Sequence, residues 1–183
     1  MRVVGGIAKG RRLKPPAIPD ARPTSELVRT AIFNVLGPEM VEGARVLDLF
    51  AGTGSLGIEA LSRGAQWADL VEQNHRQCAV AQGNLEATSF LDQGQVYCMA
   101  VERALSELKG PYRLVLMDPP YKLSSIDPVL QGLDKAGMVE DGGIVVVGHS
   151  KRQELQAAYG RIVHLKTRRY GDSVADFYKA GPV

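Results

Sequence analysis

The sequence predicts an α/β protein: a doubly wound, mostly parallel sheet of seven strands with helices on both faces. Three observations predict it. From Ala44 onward, short apolar runs alternate with segments of helical period, the pattern of strand–helix–strand units. The first apolar run leads directly into Gly52, Gly54 and Gly57, a G-x-G-x-x-G turn at the mouth of a helix. The last two runs, "RIVHLKTRRYG" and "VADFYKA", have no helix between them and so pair as an antiparallel hairpin at the sheet edge.

The elements follow in order. "RVVGG" and "GRRLKPP" are extended segments separated by glycines and predict a small basic hairpin. In "RPTSELVRTAIFNVLG", Thr24 after Pro23 is the expected N-cap, with Leu27, Ala31, Ile32, Val35 and Leu36 on one helical face and Gly37-Pro38 as the stop. These make residues 1–40 an extension to a sheet domain of residues 41–183. "RVLDLF", "ADLVEQ", "QVYCMA", "RLVLMD" and "GIVVVGHS" read as strands. Residues 55–63, 74–87, 101–108, 126–135 and 151–159 read as helices.

At 183 residues and 45% hydrophobic content, the chain is long enough to bury a substantial core, which argues against a disordered protein. The net charge is only +2 but unevenly placed. Arg2, Lys9, Arg11, Arg12 and Lys14 open the chain with no acid among them, and Arg161, Lys166, Arg168 and Arg169 repeat the bias near the end. Such clusters are solvated faces or nucleic-acid contacts, and charge alone does not choose. Cys78 and Cys98 have neither metal nor redox spacing and read as small hydrophobes in a reducing compartment. Scattered histidines predict no metal site. The opening lacks a signal-peptide core and no apolar run approaches a membrane span, so a cytoplasmic protein is expected.

Two motifs carry chemistry. The glycine turn is followed, twenty residues past Gly52, by Glu72 at the end of the second strand, where a ribose-binding acid belongs. That much fits a nicotinamide or flavin protein equally well. Asp48 separates the readings, because a carboxylate beside the loop would repel a dinucleotide pyrophosphate, whereas S-adenosylmethionine brings a cationic sulfonium and amino group. The second motif is "RLVLMDPPYKL", a buried-strand pattern that ends abruptly in Asp118, Pro119, Pro120 and Tyr121.

"LDLFAGTGSLGIEALSRGA", "LVEQN" and "LVLMDPPY" together resemble the class I S-adenosylmethionine-dependent methyltransferases that modify amino groups of bases. "RVVGGIAKGRRL", "RPTSELVRTAIFNVL" and "RRYGDSVADFY" are similar to the bacterial enzymes that methylate N2 of guanine 966 in 16S ribosomal RNA. The resemblance covers nearly the whole chain and implies a Rossmann-like methyltransferase fold, S-adenosylmethionine as cofactor and 16S rRNA of the small subunit as partner, with the enzyme a monomer. It implies cofactor contacts from Asp48, Phe50, Gly52, Gly54, Glu72 and Gln73. It also implies that the Asp118 side chain and the Pro119 carbonyl accept hydrogen bonds from the base amine, that Pro120 braces the loop, and that Tyr121 stacks on the base. The resemblance also sets Arg22 and Thr24 beside the cofactor mouth; Arg11, Arg12, Lys14, Arg22, Arg168 and Arg169 are the candidate RNA contacts, with Arg29 as a further phosphate candidate. Two positions depart from the family pattern. Ala100 stands where an acid near the adenine is usual, with Glu102 two residues on, and Gly148-His149 stands where another acid is common. Other acceptors on the same fold, DNA adenine N6 or a protein glutamine amide, and a non-catalytic RNA-binding role remain the competing readings.

Overall fold

The computed structural model describes residues 1–182. After an irregular N-terminal segment come α1 (Glu26–Leu36) and the short α2 (Pro38–Val41). Then β1 (Arg45–Leu49), α3 (Ser55–Ser62), β2 (Trp67–Glu72), α4 (His75–Ala87), β3 (Gly94–Cys98), α5 (Val101–Glu107), β4 (Tyr112–Met117), α6 (Asp127–Lys135) and β5 (Val139–Ser150) alternate as expected. The chain closes with β6 (Ala158–Tyr159), β7 (Ile162–Tyr170) and β8 (Ser173–Ala180).

The strands form one sheet in the order β3-β2-β1-β4-β5-β8-β7-β6. The first five are parallel, and β8 pairs antiparallel with both β5 and β7. Period-two alternation divides the core. Val46, Leu114, Leu116 and Val146 face α1, α3 and the N-terminal segment, while Leu47, Leu49, Val115, Met117 and Val145 face α5 and α6. The predicted hairpin of the N-terminal segment is one bridge, Arg2 to Arg12, with Val3, Ala8 and Leu13 buried against α3.

Five expectations need correction. Residues 151–159 are not a helix. Gln156 donates its N–H to the Tyr159 hydroxyl (2.9 Å), that hydroxyl donates to Asp127 on α6 (2.5 Å), and Ala158-Tyr159 pair with β7 as an eighth strand. These tertiary contacts override a weak helical pattern. The cap of α1 is Ser25, whose hydroxyl accepts the Val28 N–H at 3.2 Å; Thr24 is engaged elsewhere. The buried face of α1 is Arg29, Ile32 and Phe33, and Leu27 is 74% exposed. Arg29 is wholly buried, donating to the Arg2 carbonyl (2.7 Å) and paired with Glu59 of α3 at 3.5 Å, so it cannot meet an RNA phosphate. Glu59 also accepts the N–H groups of Val4 and Gly5, which ties the N-terminal segment to α3 through one buried carboxylate. Finally, Cys78 and Cys98 are joined in a disulfide, with Cα atoms 5.9 Å apart. Spacing along the chain hid this: the β2–α4–β3 crossover folds back so that the start of α4 meets the end of β3.

Candidate active site

The sheet reverses its winding between β1 and β4, and in open α/β sheets ligands bind at such a point, beyond the carboxyl ends of the strands. Register makes the consequence concrete. Leu49 lies opposite Met117, so the glycine loop and the Asp118–Tyr121 loop leave the sheet side by side.

On the β1–β2 side the loop turns through positive φ at Phe50 (58°), Gly52 (56°) and Gly54 (80°). A Cβ on Gly54 would stand 2.8 Å from the Leu70 side chain, so the loop packs onto β2 only because that position is bare. Glu72 holds two loops at once: one carboxylate oxygen accepts the Gly52 N–H and the other the Asn74 N–H, each at 2.9 Å. Asp48 lies behind the loop. Its Oδ2 accepts the Gly57 N–H at 2.9 Å, while Oδ1 is buried without a partner. Burial, reinforced by the charges of Asp118 and Glu72 and opposed by the Gly57 N–H, pushes the Asp48 carboxyl up to about 8.

On the β4 side, the Asp118 carboxylate accepts a hydrogen bond from the Thr24 hydroxyl through Oδ2. Its Oδ1 sits against Gly148, where a Cβ would come within 2.8 Å. Gly148 therefore makes room for the acid of β4 instead of supplying one. Burial raises the Asp118 pKa, and the Thr24 hydrogen bond and the charge of Arg22 oppose that rise. Pro119 is buried and Pro120 exposed. Tyr121 keeps 46% of its surface exposed, its hydroxyl 3.1 Å from the Ser173 Oγ and the Arg22 guanidinium 5.6 Å from its ring centroid.

Between the two sides lies a cleft of about 750 Å³. Phe50, Gly52, Glu72, Gln73 and Asp118 through Tyr121 line it; Asp48 and Gly54 stand behind the lining. Of Ala100 and Glu102, the cleft wall includes Glu102. His149 also reaches the wall, with Nε2 2.6 Å from Asp176 and Nδ1 2.8 Å from the Ser150 carbonyl, as part of a buried link between β5 and β8.

One wall was foreseen only at Arg22 and Thr24, which the resemblance sets beside the cofactor mouth and which both line the cleft. Residues 16–25, a proline-punctuated strap with no regular structure, run across the cleft mouth. The strap is moored on α4, where Gln77 accepts the Ala17 N–H and Asn84 accepts the Lys14 N–H, each at 2.7 Å. Its far end reaches Asp118 and Tyr121. For the rest of the strap the signal was the run of Pro15, Pro16, Pro19 and Pro23, which marks stiff extended chain but not its destination.

The basic candidates divide into two groups. Arg22 lines the cleft, and Arg168 and Arg169 are exposed near the tip of the β7–β8 hairpin, whose Ser173 touches Tyr121. Arg11, Arg12 and Lys14 are exposed on the N-terminal segment, with Arg11 donating to Ser89 at 3.0 Å beyond α4. Among the described residues no helix is long and apolar enough to cross a membrane.

The family described as Conserved hypothetical protein 95 matches residues 1–179. The chain belongs to that family. It is 37% identical over 182 residues to YlbH of Bacillus subtilis, provisionally named an rRNA methyltransferase, covering 98% of both chains. It is also 37% identical over 150 residues to ribosomal RNA small subunit methyltransferase D of Escherichia coli K12, covering 80% of this chain and 73% of that one. In solved structures, yhhF of Escherichia coli, a provisional methyltransferase, matches all of this chain and 99% of its own with a TM-score of 0.88 at 27% identity.

Proposed function

We propose that the cleft holds S-adenosylmethionine on its β1–β2 side and receives the exocyclic N2 of a guanine of 16S rRNA on its β4 side. The protein is an S-adenosylmethionine-dependent rRNA methyltransferase, a reading that the family and the names of its relatives support. The observation that carries the assignment is the placement of Asp118, a part-buried carboxylate one register step from the glycine loop and open to the same cleft.

The donor set suits the cofactor. Glu72 and Asp118 line the cleft with acidic groups, and Asp48 behind them, pushed up to about 8 by burial, keeps an unpartnered Oδ1 that a cationic ligand would draw into the carboxylate form and a pyrophosphate would not. When bound, S-adenosylmethionine supplies an electrophilic methyl group. The chain does the rest. Glu72 presents acceptor capacity to ribose hydroxyls from a carboxylate already fixed by two backbone amides. Asp118 and the Pro119 carbonyl accept from the two N–H bonds of the amine, drawing its lone pair out of conjugation and stabilising the positive charge that grows on nitrogen. Pro120 has no N–H to compete for that carbonyl. Tyr121, exposed and steadied by Ser173 and Arg22, offers a face for the base.

The test is incubation with radiolabelled S-adenosylmethionine and small ribosomal subunits lacking the mark, followed by nucleoside analysis. Label in N2-methylguanosine is the expected result. Label in N6-methyladenine of added DNA, or in protein alone, would replace the acceptor assigned here.

A further inference from the structure

The N-terminal strap hydrogen-bonds to the reacting end of the cleft through the Thr24 hydroxyl on Asp118 Oδ2, across 94 residues of sequence. The opposite oxygen of that carboxylate occupies the space over Gly148, where a Cβ would come within 2.8 Å of it. The carboxylate thus has bare Gly148 of the adjacent strand β5 on one side and, on the other, a hydrogen bond from an element remote from β4. A base amine needs Asp118 as an acceptor, and a protonated carboxyl would instead turn a donor toward it.

We propose that Thr24 is a positioning residue for methyl transfer, its hydroxyl holding the Asp118 carboxyl in the orientation and the ionised form that a substrate amine requires. The proposal rests on the functional reading above and adds the N-terminal strap to the machinery. The hydroxyl has one proton to give and Asp118 takes it, which favours the carboxylate over the acid. The charged neighbours are few. Arg22 on the same strap works in the same direction. Asp48 on β1, pushed up to about 8, is the group that responds to the Asp118 charge. On β5 the neighbour Gly148 bears no side chain, and the His149 ring is committed to Ser150 and Asp176. Lys122 lies on the outer side, 3.9 Å from Asp20, with both side chains 87% exposed. Burial alone lifts Asp118 toward the protonated form, so losing the Thr24 donor leaves Arg22 as the chief opposing influence.

Thr24→Val preserves shape and removes the donor, and Thr24→Ser restores it. The first measurement needs no activity: the carboxyl carbon of Asp118, assigned by its loss in Asp118→Asn, is titrated by NMR in the full chain. The midpoint in Thr24→Val is expected about one pH unit higher than in the wild type, a tenfold change in proton affinity, and Thr24→Ser is expected to follow the wild type. The second measurement is the pH profile of single-turnover transfer to unmethylated subunits. Its acidic limb should move up with the titration in Thr24→Val and return in Thr24→Ser, while S-adenosylhomocysteine affinity stays unchanged. Superimposed titrations overturn the proposal, as does a titration that moves while the acidic limb does not. If the wild type transfers no methyl group to rRNA, the functional reading falls, and the titration still decides whether Thr24 controls Asp118.

Discussion

The two sides of the cleft are built differently. On the β1–β2 side, the carboxylates are fastened by backbone amides close in sequence: Asp48 to Gly57, and Glu72 to Gly52 and Asn74. On the β4 side, the groups are held by side chains brought from far away: Asp118 by Thr24, Tyr121 by Ser173 and Arg22. The first side is a rigid receptor that the strand–loop–helix unit makes by itself. The second is an assembly that exists only when the N-terminal strap, β4 and the terminal hairpin have all docked. Substitutions should therefore separate, those on the first side acting on cofactor affinity and those on the second on the transfer step.

The sharpest test is Asp118→Ala. It removes an acceptor whose value grows as charge develops on nitrogen, so single-turnover transfer should fall by about 10²–10³-fold. Calorimetry with S-adenosylhomocysteine should show little change. A loss of cofactor binding matching the loss of rate would break the comparison, because it would place Asp118 on the cofactor side.

Glu72→Ala comes next and should do the reverse. It takes away an acceptor for the ligand and frees the Gly52 and Asn74 amides. Charge-assisted hydrogen bonds are worth roughly 1.5–3 kcal/mol, so cofactor affinity should drop by about 10–150-fold. Thermal denaturation should also begin lower, since the same carboxylate joins two loops. An unchanged melting temperature with the affinity loss intact would show that the loops hold their shape without it.

This division also explains what was legible in the sequence. Asp48, the glycines and Glu72 lie within one strand–helix–strand unit, so their spacing along the chain is already their spacing in space. The Asp118–Tyr121 stretch was visible because prolines and a carboxylate interrupt a buried strand. What that stretch touches was not visible. Thr24 looked like a cap because it follows proline at a helix start, and although the resemblance set it beside the cofactor mouth, only the docked strap shows its hydroxyl turned toward Asp118. Arg29 looked like a surface cation because nothing local reveals Glu59 of α3 waiting opposite. The α1 face was misjudged for the same reason: its partner is the N-terminal segment, which has no periodic pattern of its own. The Cys78–Cys98 link depends on the crossover geometry of β2–α4–β3, which spacing does not reveal.

A smaller effect sharpens the cofactor side through pH. With its carboxyl pushed up to about 8 by burial, Asp48 is mostly protonated in the ligand-free protein at neutral pH. A ligand bringing a cationic amino group favours the carboxylate, so binding should release a proton below that value. S-adenosylhomocysteine affinity should then rise with pH, by at most about tenfold per unit, and level off near 8. Stability of the empty protein runs the opposite way. The folded state binds a proton that the unfolded Asp48 has lost, between its ordinary value of 3.8 and about 8, so this group's contribution to stability declines as pH rises through that window. Calorimetry in buffers of different ionisation enthalpy measures the proton count directly. Asp48→Asn should abolish the release; a persistent full proton in that variant would assign the titration to another group.

The smallest effect concerns where RNA is gripped. Arg11, Arg12 and Lys14 lie on the segment moored to α4, whereas Arg168 and Arg169 lie by the hairpin tip that steadies Tyr121. Each phosphate neutralised contributes about −0.7 to −0.9 to the slope of log affinity against log salt. If both patches hold RNA, converting Arg11, Arg12 and Lys14 to Ala should flatten that slope by roughly 1 to 3 units, and converting Arg168 and Arg169 by roughly 1 to 2. Cofactor affinity should be untouched in both, because neither patch lines the β1–β2 side. The two variants should differ in one respect. Loss of the hairpin pair should also lower the single-turnover rate at saturating RNA, because that hairpin bears on Tyr121, the residue proposed to receive the base, whereas loss of the N-terminal trio should weaken binding alone. Subunit binding across a salt series with parallel transfer assays separates these outcomes. A slope unchanged in the N-terminal variant would return that patch to a solvated face and leave the cleft rim as the RNA contact.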